Sequence, residues 1–284
     1  MDIRPEVLSS ALCIVGEGPI WLAETHEVAH VDIRGKRIRK IHLPTGKARD
    51  IIVPQMIAFI FEGEDGSILG GGEDGIYRVN DDGSLTPVNN TYPIKGDRYN
   101  DGKVGADGKL YMGTFSLDGS AAFYRMEHDG TVVELFDHVG NSNGLAWDEK
   151  KGILYYNDTY THRTDAFDFD PVSGTVSDRR PIYTYPDGLP DGMTIDADGN
   201  LWTALWGGWA VVCIDPVSGK MVEKIDMPTA QPSCCIFAGD DLGELIITSA
   251  SSGLPIREQP LAGATFAIRT GAKGVPGHKM HLTK

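Results

Sequence analysis

The chain has 284 residues, with 26 Lys and Arg against 40 Asp and Glu for a formal charge of −14, and 41% hydrophobic and 23% charged residues. That is the composition of an ordinary folded protein, not of a disordered or fibrous one. The acidic balance argues against nucleic acid or an anionic membrane surface as partner, since both require clustered Lys and Arg, and no stretch approaches the roughly 20 apolar residues of a membrane span.

In chain order, MDIRPEVLSSALCIVGEG mixes charges and has no long apolar core. It does not read as a secretory leader, so a cytoplasmic protein is expected. GPIWLAETHEVAHVDI then sets two apolar runs around a His-Glu turn, and RIRKIHLPTG adds a third. The pattern returns in AFIFEGEDGSILGG with GIYRVNDDG, GKVGADGKLYMGT with AAFYRMEHDG, GLAWDEKKGILYYND with TDAFDFDPVSG, GMTIDADGNLWTAL with AVVCIDPVSG, and CIFAGDDLGELIITSA with ATFAIRTG. Asp-Gly and similar pairs between strands are hairpin signals because they tolerate positive φ. The turn glycines Gly66, Gly108, Gly152, Gly199 and Gly243 stand 42, 44, 47 and 44 residues apart. A period of about 40–50 residues with several strands per copy is that of a β-propeller. Six copies predict an all-β, six-bladed propeller forming a single domain over residues 1–284. Two β-sandwich domains would not carry one period through the whole chain, and no Pro/Ser-rich linker divides it. VLSSALCIV and the C-terminal HKMHL both read as strands and are expected to close the ring in the last blade.

Residues just ahead of each inner strand meet at one mouth of a propeller's channel. Here they are Glu17 in GEGPIW, Asn100 and Asp101 in RYNDGKV, Asn143 in NSNGLAW and Asp191 in PDGMTI. Each alone could cap a strand or make an Asx turn; in phase, they predict oxygen donors converging on the axis. Carboxylates crowded there repel one another and lose hydration unless a cation is present. One divalent ion is therefore expected, and oxygen donors suit calcium, magnesium, manganese or zinc. Cys13 and Cys213 stand alone, Cys234 and Cys235 are adjacent, and without a CxxC pair all four read as reduced, buried thiols. No G-x-S-x-G elbow or H-E-x-x-H motif occurs. His26, His30, His128, His138 and His162 read as turn or surface residues. Trp202, Trp206 and Trp209 read as core and blade edge, with Trp206 a candidate for the wall of a sugar site. Asn89-Asn90-Thr91 and Asn157-Asp158-Thr159 match the glycosylation tripeptide by chance.

GEGPIW, RYNDGKVGADGKLYMGT, NSNGLAWD, YYNDT and PDGMTIDADGNLWTALWGG together resemble the regucalcin/gluconolactonase family, also called the senescence marker protein family. DPVSGK and SCCIFAG are similar to its regucalcin-type members, and the likeness runs from about Glu17 to the C-terminal GAKGVPG. The resemblance implies a six-bladed propeller with one divalent metal at its axis and, as function, the opening of sugar lactones such as gluconolactone to aldonic acids. It places the metal ligands on Glu17, Asn143 and Asp191, and substrate contacts on Arg98 and Asn100, with Asp101 supporting their loop. Asp191 would serve as acid/base while the metal polarises the carbonyl and activates water. Asp158 matches a family acid near the pocket, either supporting the residues that line it or capping a turn. The short loop FSLDGS departs from regucalcin, leaving Asp118 as the counterpart of a substrate-touching glutamate. The partner expected is a small sugar lactone, and the protein a monomer or weak homodimer. The alternatives are a calcium-binding regulatory propeller without turnover, or a phosphotriesterase-like hydrolase on the same site.

Overall fold

The structure is a computed structural model and describes residues 4–89 and 94–283. Its strands form six four-stranded antiparallel sheets, and the inner strands touch one another in ring order, the last against the first. This is the expected six-bladed β-propeller. The inner strands of blades 1 to 6 are Gly16–Leu22, Phe59–Glu62, Arg98–Val104, Ser142–Asp148, Leu189–Ile195 and Pro232–Ala238. Among the described residues no α-helix occurs, only single turns of 3-10 helix at Ala23–Thr25 and Thr159–Thr161, and no helix is long and apolar enough to cross a membrane.

Inner and middle strands bury both faces, so their apolar runs are nearly continuous, while outer strands such as Lys220–Asp226 are largely exposed. Apolar side chains from facing sheets fill the seams. Between blades 3 and 4, Phe123, stacked on its cross-strand neighbour Phe136 at 5.0 Å, meets Tyr156 of blade 4 edge-on at 5.1 Å. Between blades 5 and 6, Trp202 meets Phe237 at 5.8 Å. Such pairs contribute about 0.5–1.5 kcal/mol each beyond the burial of their area. The four cysteines lie in this interior, buried and unbridged.

Of the two terminal strands, the first closes the ring as expected: Glu6–Ser9 pairs with Thr265–Ile268 as the outermost strand of blade 6. HKMHL does not. Met280 bridges Gly63 of blade 2, the Thr283 amide donates to the His128 carbonyl at 2.8 Å, and the segment crosses the face opposite the bulged strand ends. The reason is partner availability, since Glu6–Ser9 already fills the open edge of blade 6. The turn glycines Gly66, Gly108, Gly152 and Gly199 have positive φ, but at the fifth hairpin Leu242 takes the left-handed conformation in place of Gly243. His30 also departs from expectation. It is fully buried in the seam between blades 1 and 6, Nδ1 against the Val31 carbonyl at 3.2 Å and Nε2 against Thr265 Oγ1 at 3.0 Å.

Candidate functional site

The site is built by β-bulges. In blade 1 the inner-strand pairing steps from Glu17 opposite Val31 to Ile20 opposite Ala29, one residue more on the inner strand than on its partner. The same insertion occurs between Tyr99 and Gly102 in blade 3, Asn143 and Leu145 in blade 4, Pro190 and Met193 in blade 5, and Pro232 and Cys234 in blade 6. Blade 2 runs without one. An extra residue bends the strand and re-aims its side chain. At these bulges stand Glu17, Asn100 with Asp101, Asn143, Asp191 and Ser233, all at the same end of the channel.

A glycine follows Glu17, Asp101, Asn143 and Asp191, for two reasons. Its N–H returns to the preceding side chain: Gly18 to Glu17 Oε2 at 3.0 Å, Gly102 to Asp101 Oδ1 at 2.7 Å, Gly144 to Asn143 Oδ1 at 3.3 Å. Its missing side chain also lets neighbouring blades touch. A Cβ on Gly144 would stand 2.5 Å from the Asp191 carbonyl oxygen, and one on Gly192 would overlap Cys234.

Glu17, Asp101, Asn143 and Asp191 are all buried. Glu17 is pushed well above the ordinary carboxylate range, first by loss of hydration and then by the charges of Asp191 and Asp101. Asp191 is pushed well above it by burial and by Asp101, against hydrogen bonds from Asn143 and the Gly192 N–H. Asp101 is raised by burial and partly restored by Lys103. Asp101 thus acts on both Glu17 and Asp191, and Asp191 on Glu17, at a buried channel end. A cation would relieve them, and oxygen donors match calcium, magnesium, manganese or zinc. Among the described residues no three His, Cys, Asp or Glu side chains group tightly enough to hold a metal by themselves.

Beside this cluster, Arg98 Nη1 donates to the Tyr99 carbonyl at 2.7 Å and to Asn100 Oδ1 at 2.9 Å, with its guanidinium 5.3 Å from the centre of the Phe115 ring. Burial and the nearby Arg34 push Arg98 below its ordinary value, and its charge in turn favours ionised Glu17. Asn100 Nδ2 donates to the Ser142 carbonyl at 2.8 Å, joining blade 3 to blade 4. Asp118 is not drawn into the cluster. It sits on the exposed turn after Phe115, where the Ser116 and Ser120 hydroxyls hold its carboxyl down to about 2. Asp158 accepts from the Gly140 and Asn141 amides at 3.2 and 3.0 Å, clamping the loop that leads to Asn143. Trp206 is half-buried opposite Leu189 at the same mouth, whereas Trp202 is core.

Several supporting residues escape a reading by motif. Asn157 Nδ2 donates to the Asp191 carbonyl at 2.8 Å, and its Oδ1 accepts from Thr164, which meets Tyr185 and through it Thr203. Thr159 accepts from Asn143 Nδ2 and donates to the Pro190 carbonyl, each at 3.0 Å. The polar run Asn157-Asp158-Thr159, closing a strand that should be apolar, was the available signal. With Asn157 buried and committed, that tripeptide has no room for a glycan; the other, Asn89-Asn90-Thr91, extends outside the described residues.

Residues 15–251 match the family described as the SMP-30/Gluconolactonase/LRE-like region. A Bacillus subtilis (strain 168) protein provisionally named sugar lactone lactonase YvrE is 36% identical over 272 residues, 92% of this chain and 93% of that protein. Regucalcin of Danio rerio is 33% identical over 279 residues, again 92% and 93%. Among solved structures, a calcium-binding protein, regucalcin, from Agrobacterium tumefaciens superposes with a TM-score of 0.89 at 26% identity, covering 98% of this chain and 97% of that one.

Proposed function

Because the chain belongs to the SMP-30/gluconolactonase/LRE-like family, we propose that it hydrolyses sugar lactones to the corresponding hydroxy acids with one divalent cation held by Glu17, Asn143 and Asp191. The observation that carries this reading is the set of in-phase bulges, which brings desolvated, mutually repelling carboxylates to one channel end. Similarity to a protein named as a sugar lactone lactonase supplies the substrate class.

A divalent cation, when bound, supplies Lewis acidity toward a carbonyl oxygen and a lowered pKa for water. Asp191 takes the proton of the water whose oxygen bonds to the lactone carbonyl carbon. It returns that proton to the ring oxygen as the C–O bond breaks, so the open hydroxy acid leaves and the carboxylate is regenerated. Asn143 steadies Asp191 by donating to it. Arg98, with one nitrogen fixed by Tyr99 and Asn100, offers its remaining N–H groups to sugar hydroxyls. Asn100 contributes its second amide hydrogen, and Asp118 is the outermost member of the proposed substrate set.

The likeness to the Agrobacterium calcium-binding regucalcin favours one second reading, a calcium-binding protein without turnover. One experiment separates the two. Protein stripped with a chelator is resupplied with calcium, manganese or zinc, and acid release from gluconolactone and other aldonolactones is followed by pH-stat. We expect metal-restored hydrolysis, lowered about a thousandfold or more in Asp191→Asn. Failure of every ion to accelerate any lactone sinks the enzymatic reading, and tight calcium uptake without turnover leaves the second.

A further inference from the structure

The inner strands of blades 3, 4 and 5 share a register that continues below the site: Lys103 follows Asp101 by two positions, Leu145 follows Asn143 by two, and Met193 follows Asp191 by two. At that level the Lys103 ammonium crosses the channel, donating to the Leu145 carbonyl at 2.7 Å and the Met193 carbonyl at 2.8 Å. Leu145 and Met193 are the residues at which each strand resumes regular pairing after its bulge, opposite Tyr156 and Thr203. Beneath, a cavity of 430 Å³ has Ile20, Trp21, Ile60 and Ile236 on its wall, with Lys103 and Asp101 among its polar lining residues. Ordering a lysine costs up to about 2 kcal/mol of rotamer freedom, and its ammonium gives up hydration as well.

We propose that Lys103 is a positioning residue for the cation site: one ammonium joins the strand bearing Asn100 and Asp101 to those bearing Asn143 and Asp191, and so sets the separation of the donors above it. The proposal rests on reading Glu17, Asn143 and Asp191 as cation ligands. The ammonium has a second effect, since it is a positive charge beneath a cation site.

These two effects predict opposite outcomes when the ammonium is removed. A positive charge below the site repels a cation, so if charge alone mattered Lys103→Met would bind calcium more tightly. If positioning dominates, loss of both carbonyl contacts loosens the strands and weakens binding, as loss of an outer-shell partner does elsewhere by about 10–100-fold. Calcium binding to the chelator-stripped full chain is measured by calorimetry well below the melting temperature. We expect Lys103→Met to bind at least about tenfold more weakly, and Lys103→Arg, which keeps charge and donors, to recover part of the loss. A general loss of stability would not produce that recovery. Should Lys103→Met fail to fold, Lys103→Gln is measured in the same way. Wild-type protein that takes up none of calcium, manganese or zinc sinks the functional reading itself. Wild-type that binds, with Lys103→Met or Lys103→Gln binding as tightly or more tightly, sinks only the role given to Lys103.

Discussion

An Asn-Gly pair at the head of a strand looks wasteful, because neither residue favours extended structure. At 143–144 both are needed. Asn143 touches Thr159 of its own blade and Asp191 across the seam to blade 5, and Gly144 leaves the room in which the Asp191 backbone runs. A methyl group there would meet Asn157 Nδ2 and the Asp191 carbonyl oxygen at 2.5 Å and Met193 Cβ at 2.8 Å. Gly144→Ala should therefore lower stability by about 1–3 kcal/mol, the usual range for overpacking, and displace Asp191. Gly277→Ala, where a Cβ meets nothing within 4 Å, should stay within about 0.5 kcal/mol. Urea melts of the two variants check both.

At the scale of the strand, His30 shows what repeat logic overlooks. It lies in Glu27–Asp32, where every residue is buried, among Asp32, Asp50 and Arg39, and burial pushes its imidazole down from 6.5 to about 4. In the unfolded chain it binds a proton below about pH 6.5, whereas the folded protein keeps it neutral until about pH 4. Its contribution is whole above the unfolded value and is lost as pH falls through that window, by about 3 kcal/mol in total. His30→Gln should flatten the decline between about pH 7 and pH 5 relative to wild type, as read by denaturant unfolding at each pH. The same strands mark where sequence stops being legible. Glu17, Asn143 and Asp191 stood out because oxygen side chains next to glycine recur in phase. Lys103, Asn157 and Thr159 did not, because each acts on a main-chain carbonyl of another blade, and those partners exist only once the bulges fix the register. His30 was misread for a related reason: it occurs in one repeat only, and its partner Thr265 lies at the far end of the chain.

For the whole molecule, the period of the hairpins was enough to count the blades, and VLSSALCIV was enough to find a closing strand, although only its first residues lie in the observed Glu6–Ser9. The path of HKMHL was not readable, since a short apolar run does not name the edge it will join. Closure depends on the Glu6–Ser9 pairing, and removing residues 1–10 would leave Thr265–Ile268 with an unpaired edge. Such edges recruit other chains. The truncated protein should melt about 5–10 °C lower and scatter light on standing, whereas the full chain should remain dispersed; differential scanning fluorimetry and light scattering check this.

That closure also sets a schedule. Val7 pairs with Phe266, so a segment synthesised well before its partner must wait, unpartnered, until the whole stretch between the two has been translated. Blades 1 to 5 can each form as a local meander while synthesis proceeds, but the hub stays open until the last hairpin arrives. Contacts so distant along the polymer form slowly, and a nascent chain stalled short of Phe266 would carry four nearly finished donor strands around a hub that has not yet acquired its final shape.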